Sequence, residues 1–527
     1  MDNSEIYYKR GLYMIDKLLD IYTNDNSFYK KREILIEKEF IRYSNFRELA
    51  NKDIKSFTLT GLVALLGMNK ENIERFDKNT NYDFDIFSTI KKREIEILKQ
   101  KNPLFEKDRL LNTKYDNWLN VLNIAYPRDD YMINVRNALL HSEYNFYDNY
   151  ENIIYLSNSN YTKFEGKILL PVFTDFSIFY FGNSSWSGLS ENTYLFDIVA
   201  EKQIKSEQEL SNTIDKLEII NINYKLKEDS KTYVSPEKKI YNLLAKNYLS
   251  NKNFYNDINR IYRNNSENHS INTTKLTEKQ KELVKKMLET YYGDNFYNSN
   301  LEIQNRAIID VINYIINSRS TISEWVSDYI KTLKFIECLN KKRIEKRMLS
   351  KEFYNQIKDT ITNEMNIEKD RRPVFACKTA LLIMKAYHIL YRLQNKTFNN
   401  IDFSKINFNY EDNEYKYTRI DINDDIIINN FEKDIQKIHK KYRELNSSEA
   451  QNKVICDIIR DALSHGKVTL DFRIENNNLK EYIVFDDTYH NKTRKLEMTL
   501  NKFENLLKSE AFTIKYSKQN IIKKIKK

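Results

Sequence analysis

Along most of the chain apolar residues recur at three- and four-residue spacing, the pattern of helices that bury one face. Gly11–Tyr22, Asp85–Gln100, Ser323–Leu339 and Lys378–Leu393 carry it most clearly, and only eight glycines and five prolines interrupt 527 residues. Two stretches change period. After His465, Val468, Leu470, Phe472 and Ile474 alternate with polar residues, a Glu-Asn-Asn-Asn turn follows, and a second β-rich run ends at Phe485; this predicts a β-hairpin. After His141 comes a looser version, NIIYLSN, a polar Ser-Asn-Tyr-Thr turn, then FEGKILLPVF. Further helical runs are expected over Leu195–Ile220 and Arg494–Leu507. The expected fold is therefore mainly α, with an internal duplication: two helical domains, 1–228 and 301–527, each with a β-hairpin after a shared helix. Between them, 229–300 is an Asn-rich helical linker or insertion, with helical islands KKIYNLLAKNYL and QKELVKKMLETYY.

The helix before each hairpin is the part that repeats. Residues 131–142 read YMINVRNALLHS and 455–466 read ICDIIRDALSHG, in a chain with six histidines. On a helix, where each residue advances about 100°, Tyr131, Met132, Val135, Ala138 and Leu139 share an apolar arc. Ile455, Cys456, Ile459, Ala462 and Leu463 share the matching one. Arg136, Asn137 and His141, and likewise Arg460, Asp461 and His465, are expected on the other side. An arginine five residues before a histidine arises readily by chance. Two copies with matching arcs, a shared Ala-Leu and a hairpin behind each do not.

These groups suit metal-free cleavage of RNA. A base takes the ribose 2′-hydroxyl proton, the oxygen attacks phosphorus, and an acid protonates the departing 5′-oxygen. Histidine serves either role near neutrality, arginine stabilises the developing phosphorane charge, and a polar residue four before a histidine can orient its ring. One imidazole does not easily do both jobs in one turnover, so His141 and His465 are read as an acid and base pair. Arg136 and Arg460 are then phosphate clamps, and Asn137 and Asp461 orienting groups.

The segments RNALLH and RDALSH resemble the R-x-x-x-x-H motif of HEPN-domain ribonucleases, in which Asn, Asp or His directly follows the arginine. The resemblance covers about twenty residues in each half, and the hairpin after each motif also resembles stand-alone HEPN proteins of plasmids and phage-defence loci. It implies two helical-bundle domains packed as an intramolecular pseudo-dimer, a composite two-motif cleft, a product with a 2′,3′-cyclic phosphate, and a role in phage defence or toxin-like growth arrest under an activator or antitoxin. Glu143 and Lys467 stand two residues past the histidines, so the variant silenced through a tyrosine there is not matched. Two other readings share the motifs: a compact RNA-guided effector like those of type VI CRISPR systems, with a guide RNA as partner, and a non-catalytic RNA-binding module.

Composition adds to this picture at the margins. A net charge of +10 favours a polyanion such as RNA, although part of the lysine excess matches an AT-rich coding bias. Lys341, Lys342 and Arg343 in NKKRIEKR, Arg371 and Arg372 in KDRR, and the tail Lys515–Lys527 are candidate RNA-guiding clusters or merely solvated faces. The tyrosines are base-stacking candidates or half-buried helix residues. Cys338, Cys377 and Cys456 show no disulfide or zinc spacing, DINDD at 421–425 lacks the pattern of a calcium loop, and His269, His388, His439 and His490 read as structural or incidental. No metal or cofactor is expected. With neither a signal-like start nor a run of about eighteen apolar residues, the expectation is a cytoplasmic chain without membrane partners, a monomer with an internal motif pair or a homodimer.

Overall fold

A computed structural model describes, wholly or nearly so, residues 47–79, 131–158, 164–169, 192–226, 266–316, 378–391, 401–421, 426–489 and 492–512, with isolated positions within 11–19, 174–182, 260–264 and 322–330. In chain order these form α1 (Arg47–Met68), α2 (Lys70–Asn79), α3 (Tyr131–Leu140), β1 (Tyr144–Tyr147), β2 (Tyr150–Asn158), β3 (Phe164–Leu169), β4 (Asn192–Asp197), α4 (Glu207–Lys216), β5 (Glu218–Leu226) and β6 (Ser266–Lys275). Next come α5 (Glu278–Tyr292), α6 (Asp294–Asn298), α7 (Leu301–Ile316) and α8 (Lys378–Ala386), which runs into a π-helical turn at Tyr387–Tyr391. The chain continues through β7 (Tyr415–Asp421), β8 (Ile426–Ile428), α9 (Glu432–Lys441), α10 (Ser447–Ser464), β9 (Val468–Glu475), β10 (Asn478–Tyr489), β11 (Lys492–Thr499) and α11 (Leu500–Leu507).

The chain is not the mainly α pair of helical bundles that the periodicity and the resemblance predict. Among the described residues its strands build three antiparallel sheets, ordered β1-β2-β3, β4-β5-β6 and β8-β7-β11-β10-β9. Both hairpins form, but each is part of a larger sheet: β2 pairs with β3 and also with β1, and β10 pairs with β9 and also with β11. The β9-β10 loop turns on Asn476 and Asn477, both with positive φ, which asparagine tolerates better than most residues.

The two runs expected as helices after the hairpins are each strand and helix in turn. Leu195 lies in β4, and the helix begins only at α4, where the Ser206 side chain caps the Glu209 N–H; the chain then returns as β5. Arg494–Thr499 belongs to β11, and α11 starts after the Thr499 cap. The period of two in β11 is hidden because its inward positions are Arg494, Leu496 and Met498: a buried arginine breaks the apolar alternation. His269 sits on the exposed strand β6.

The buried apolar side chains form one cluster running from Leu12 to Phe512. Near its middle α1 packs against both repeated helices, α3 and α10, and against α8 and the π-helical turn. Each repeated helix also lies on a strand of the hairpin that follows it, α3 on β2 and α10 on β10. The stretch expected as a linker contributes β6 and α5, and α5 packs on α7, β9 and β10. No helix among the described residues is long and apolar enough to cross a membrane.

Candidate active site

The apolar arcs bury as their spacing predicts. Met132, Val135, Ala138 and Leu139 on α3, and Ile455, Cys456, Ile459, Ala462 and Leu463 on α10, are all in the core. Cys456 is a free thiol whose pKa burial pushes up, so it is inert as a nucleophile. The helices also end alike. The Glu143 N–H bonds the Ala138 carbonyl at 2.8 Å and the Lys467 N–H bonds the Ala462 carbonyl at 2.8 Å, so His141 and His465 stand at equivalent C-terminal caps.

Behind the shared plan the two arginines do different things. Arg136, expected on the outward arc, is only 2% exposed. Its Nε donates to the Leu66 carbonyl at 3.2 Å, and Nη2 donates to the Gly67 carbonyl at 3.3 Å and to the Ser464 carbonyl at 2.7 Å. Leu66 and Gly67 are in the last turn of α1 and Ser464 in the last turn of α10, where carbonyls have no partner within the helix and the dipole is negative. One guanidinium thus closes two helix ends and ties the first motif to the second across 328 residues of sequence. Burial follows from this: the polar arc of α3 meets the C-terminus of α1 instead of solvent.

Arg460 stays on its own helix. Its Nε and Nη2 donate to Asp461 Oδ1 at 2.9 and 2.7 Å, and Nη1 lies 3.2 Å from Asp457. Asn137 and Asp461, expected to orient the imidazoles, turn their oxygens to arginines: Asn137 Oδ1 accepts from Arg136 Nη1 at 3.0 Å. The second oxygen of Asp461 faces Arg494 Nη2 at 3.3 Å. Arg494 in turn donates from Nε to buried Asp487 at 2.6 Å and approaches buried Asp434 at 3.7 Å, which also accepts from Arg419 at 2.8 Å and from the Tyr417 hydroxyl at 2.5 Å. A carboxylate and guanidinium chain from the five-stranded sheet and α9 therefore stands behind the second motif.

Two glycines permit the close approach of α1, α10 and the π-helical turn. A Cβ on Gly67 would sit 2.4 Å from the Tyr387 ring, whose hydroxyl donates to the Leu463 carbonyl at 2.8 Å. Gly466 has φ +67°, and a Cβ there would lie 2.3 Å from the Met68 carbonyl oxygen. Gly466→Ala combines a left-handed backbone with a backbone clash, so a loss of at least ~2 kcal/mol is expected. An unchanged urea midpoint would show that α1 does not approach so closely.

Both histidines are partly buried, and burial holds each pKa below its ordinary value. Arg136 adds to the lowering at His141. At His465 the Lys70 ammonium and Arg136 add to it, while Asp461 and Asp487 pull the other way. Lys70, the first residue of α2, places Nζ 3.4 Å from His465 Nδ1. No sequence signal marks Lys70, Tyr387, Asp487 or Arg494, because each arrives from an element distant in the chain.

Of the other candidates, His388 is buried in the π-helical turn with Nε2 3.4 Å from the Thr60 carbonyl, and His439 is half-buried on α9. Lys341, Lys342, Arg343, Arg371, Arg372, the basic tail, Cys338, Cys377 and His490 lie outside the described residues. Among the described residues no group of three or more His, Cys, Asp or Glu side chains is placed to hold a metal ion. Comparison with protein-family models, with curated proteins and with solved structures gives no match.

Proposed function

We propose that this chain is a metal-independent endoribonuclease of the HEPN type, cutting single-stranded RNA at a composite site made by Arg136–His141 and Arg460–His465. The observation that carries the reading is the hydrogen bond from Arg136 of the first motif to the Ser464 carbonyl of the second, one residue before His465. It supports a single site drawing on both motifs. In that site one imidazole takes the 2′-hydroxyl proton and the other protonates the 5′-oxygen, and the arginines set the geometry and the positive field around them. A role in phage defence or growth arrest extends the same reading.

Incubation of the purified chain with single-stranded RNA in EDTA is expected to give 2′,3′-cyclic phosphate and 5′-hydroxyl ends. The kcat/KM profile should be bell-shaped. Its acid limb is the base becoming neutral and its alkaline limb is the acid losing its proton. Since both histidine pKa values are lowered from 6.5, both limbs fall below pH 6.5. A need for a divalent ion, 3′-hydroxyl products, or a maximum above neutrality would overturn the reading. The commitment of both arginines to carbonyls and carboxylates favours one competitor, a non-catalytic RNA-binding module, which would retain RNA uncut in the same assay.

A further inference from the structure

A nuclease site needs a cation that can move onto the scissile phosphate, and three arginines around this one are already engaged. Arg136 has donors on three carbonyls and Asn137, Arg460 is held by Asp457 and Asp461, and Arg494 by Asp487, Asp461 and Asp434. Lys70 is held less firmly. Its side chain is 27% exposed, and among the described residues its polar contacts are Glu74, 3.6 Å away and itself 43% exposed, and His465 Nδ1 at 3.4 Å. As the first residue of α2 it stands at the positive end of that helix's dipole, and two residues past Met68 it also follows the negative C-terminal end of α1.

We propose that Lys70 is the substrate-phosphate cation of this site, parked on His465 until RNA draws it away. The inference rests on the nuclease reading above. An ammonium can donate to Nδ1 only when the imidazole is neutral and carries its proton on Nε2, so Lys70 keeps the Nδ1 lone pair occupied in the resting site. When the phosphate arrives, Nζ moves to a non-bridging oxygen and Nδ1 is released as the base. The 2′-hydroxyl proton passes to His465 Nδ1, the 2′-oxygen bonds phosphorus, the bond from phosphorus to the 5′-oxygen breaks, and that oxygen takes a proton from protonated His141. The groups facing His465 throughout are Lys70, Arg136, Asp461 and Asp487.

Lys70→Gln and Lys70→Arg test this, assayed for kcat, KM and pH profile on RNA, with binding of a 2′-deoxy oligonucleotide measured alongside. Lys70→Gln should lower kcat about 10²-fold, and the acid limb should move to higher pH because His465 loses a neighbouring cation. Lys70→Arg should restore most of kcat. If Lys70→Gln cleaves like wild type with an unmoved acid limb while His465→Ala is inactive, the Lys70 proposal falls and the nuclease reading stands. If wild type, Lys70→Gln and His465→Ala all leave RNA uncut, both fall together.

Discussion

Alanine at His141 or at His465 is expected to lower RNA cleavage by about 10²–10⁴-fold, the usual contribution of a positioned general acid or base. The two substitutions should not add: where residues act as one unit, removing the second costs little more, so the double variant should cleave about as slowly as either single one. Single-turnover cleavage of an end-labelled RNA measures all three, and circular dichroism verifies that each variant folds. Both histidines are only partly buried at helix caps, so their loss should leave the core intact. Full activity with either histidine removed would sink the composite site. About half the activity left in each single variant, with collapse only in the double variant, would point to two separate sites.

Arg136→Ala is expected to cost about 3–5 kcal/mol of stability, because it leaves the Leu66, Gly67 and Ser464 carbonyls without their donor in a buried setting. Arg136→Lys should rescue little: one ammonium lacks the planar fork that reaches two helix ends at once. The contrast with Arg460→Ala separates a structural from an electrostatic role. Arg460 is 24% exposed and holds carboxylates on its own helix, so its loss should spare stability more than that of Arg136. Urea unfolding of the three variants reads this directly. Equal midpoints for Arg136→Ala and Arg460→Ala would mean that the bridge between the motifs carries no energy.

Much of the local plan was legible in the residues. The apolar arcs of α3 and α10 follow from spacing alone, because a helix buries whichever stripe is apolar, and five of five apolar positions on the second arc are in the core. The β9-β10 hairpin was legible from the alternation in β9, the β-rich run in β10 and, between them, asparagines that tolerate positive φ. Alternation failed as a guide at β11, where Arg494 points inward. It is stable there because Asp487, Asp461 and Asp434 surround it, and partners so distant in sequence leave no periodic trace. The mainly α expectation failed in the same way: strands such as β4 and β7 gain their hydrogen bonds from other segments, and local pattern does not record that pairing.

By itself, then, the sequence determined which residues recur: two arginines, two histidines, the polar residue after each arginine and the faces that carry them. Only the tertiary structure decided that Arg136 turns inward to bind the ends of two helices, that Asn137 and Asp461 serve arginines, and that Lys70 stands against His465. The physical reason is the α1 C-terminus. Its unsatisfied carbonyls demand donors, its glycine admits Tyr387, and its position between α3 and α10 brings two distant motifs within the reach of one guanidinium.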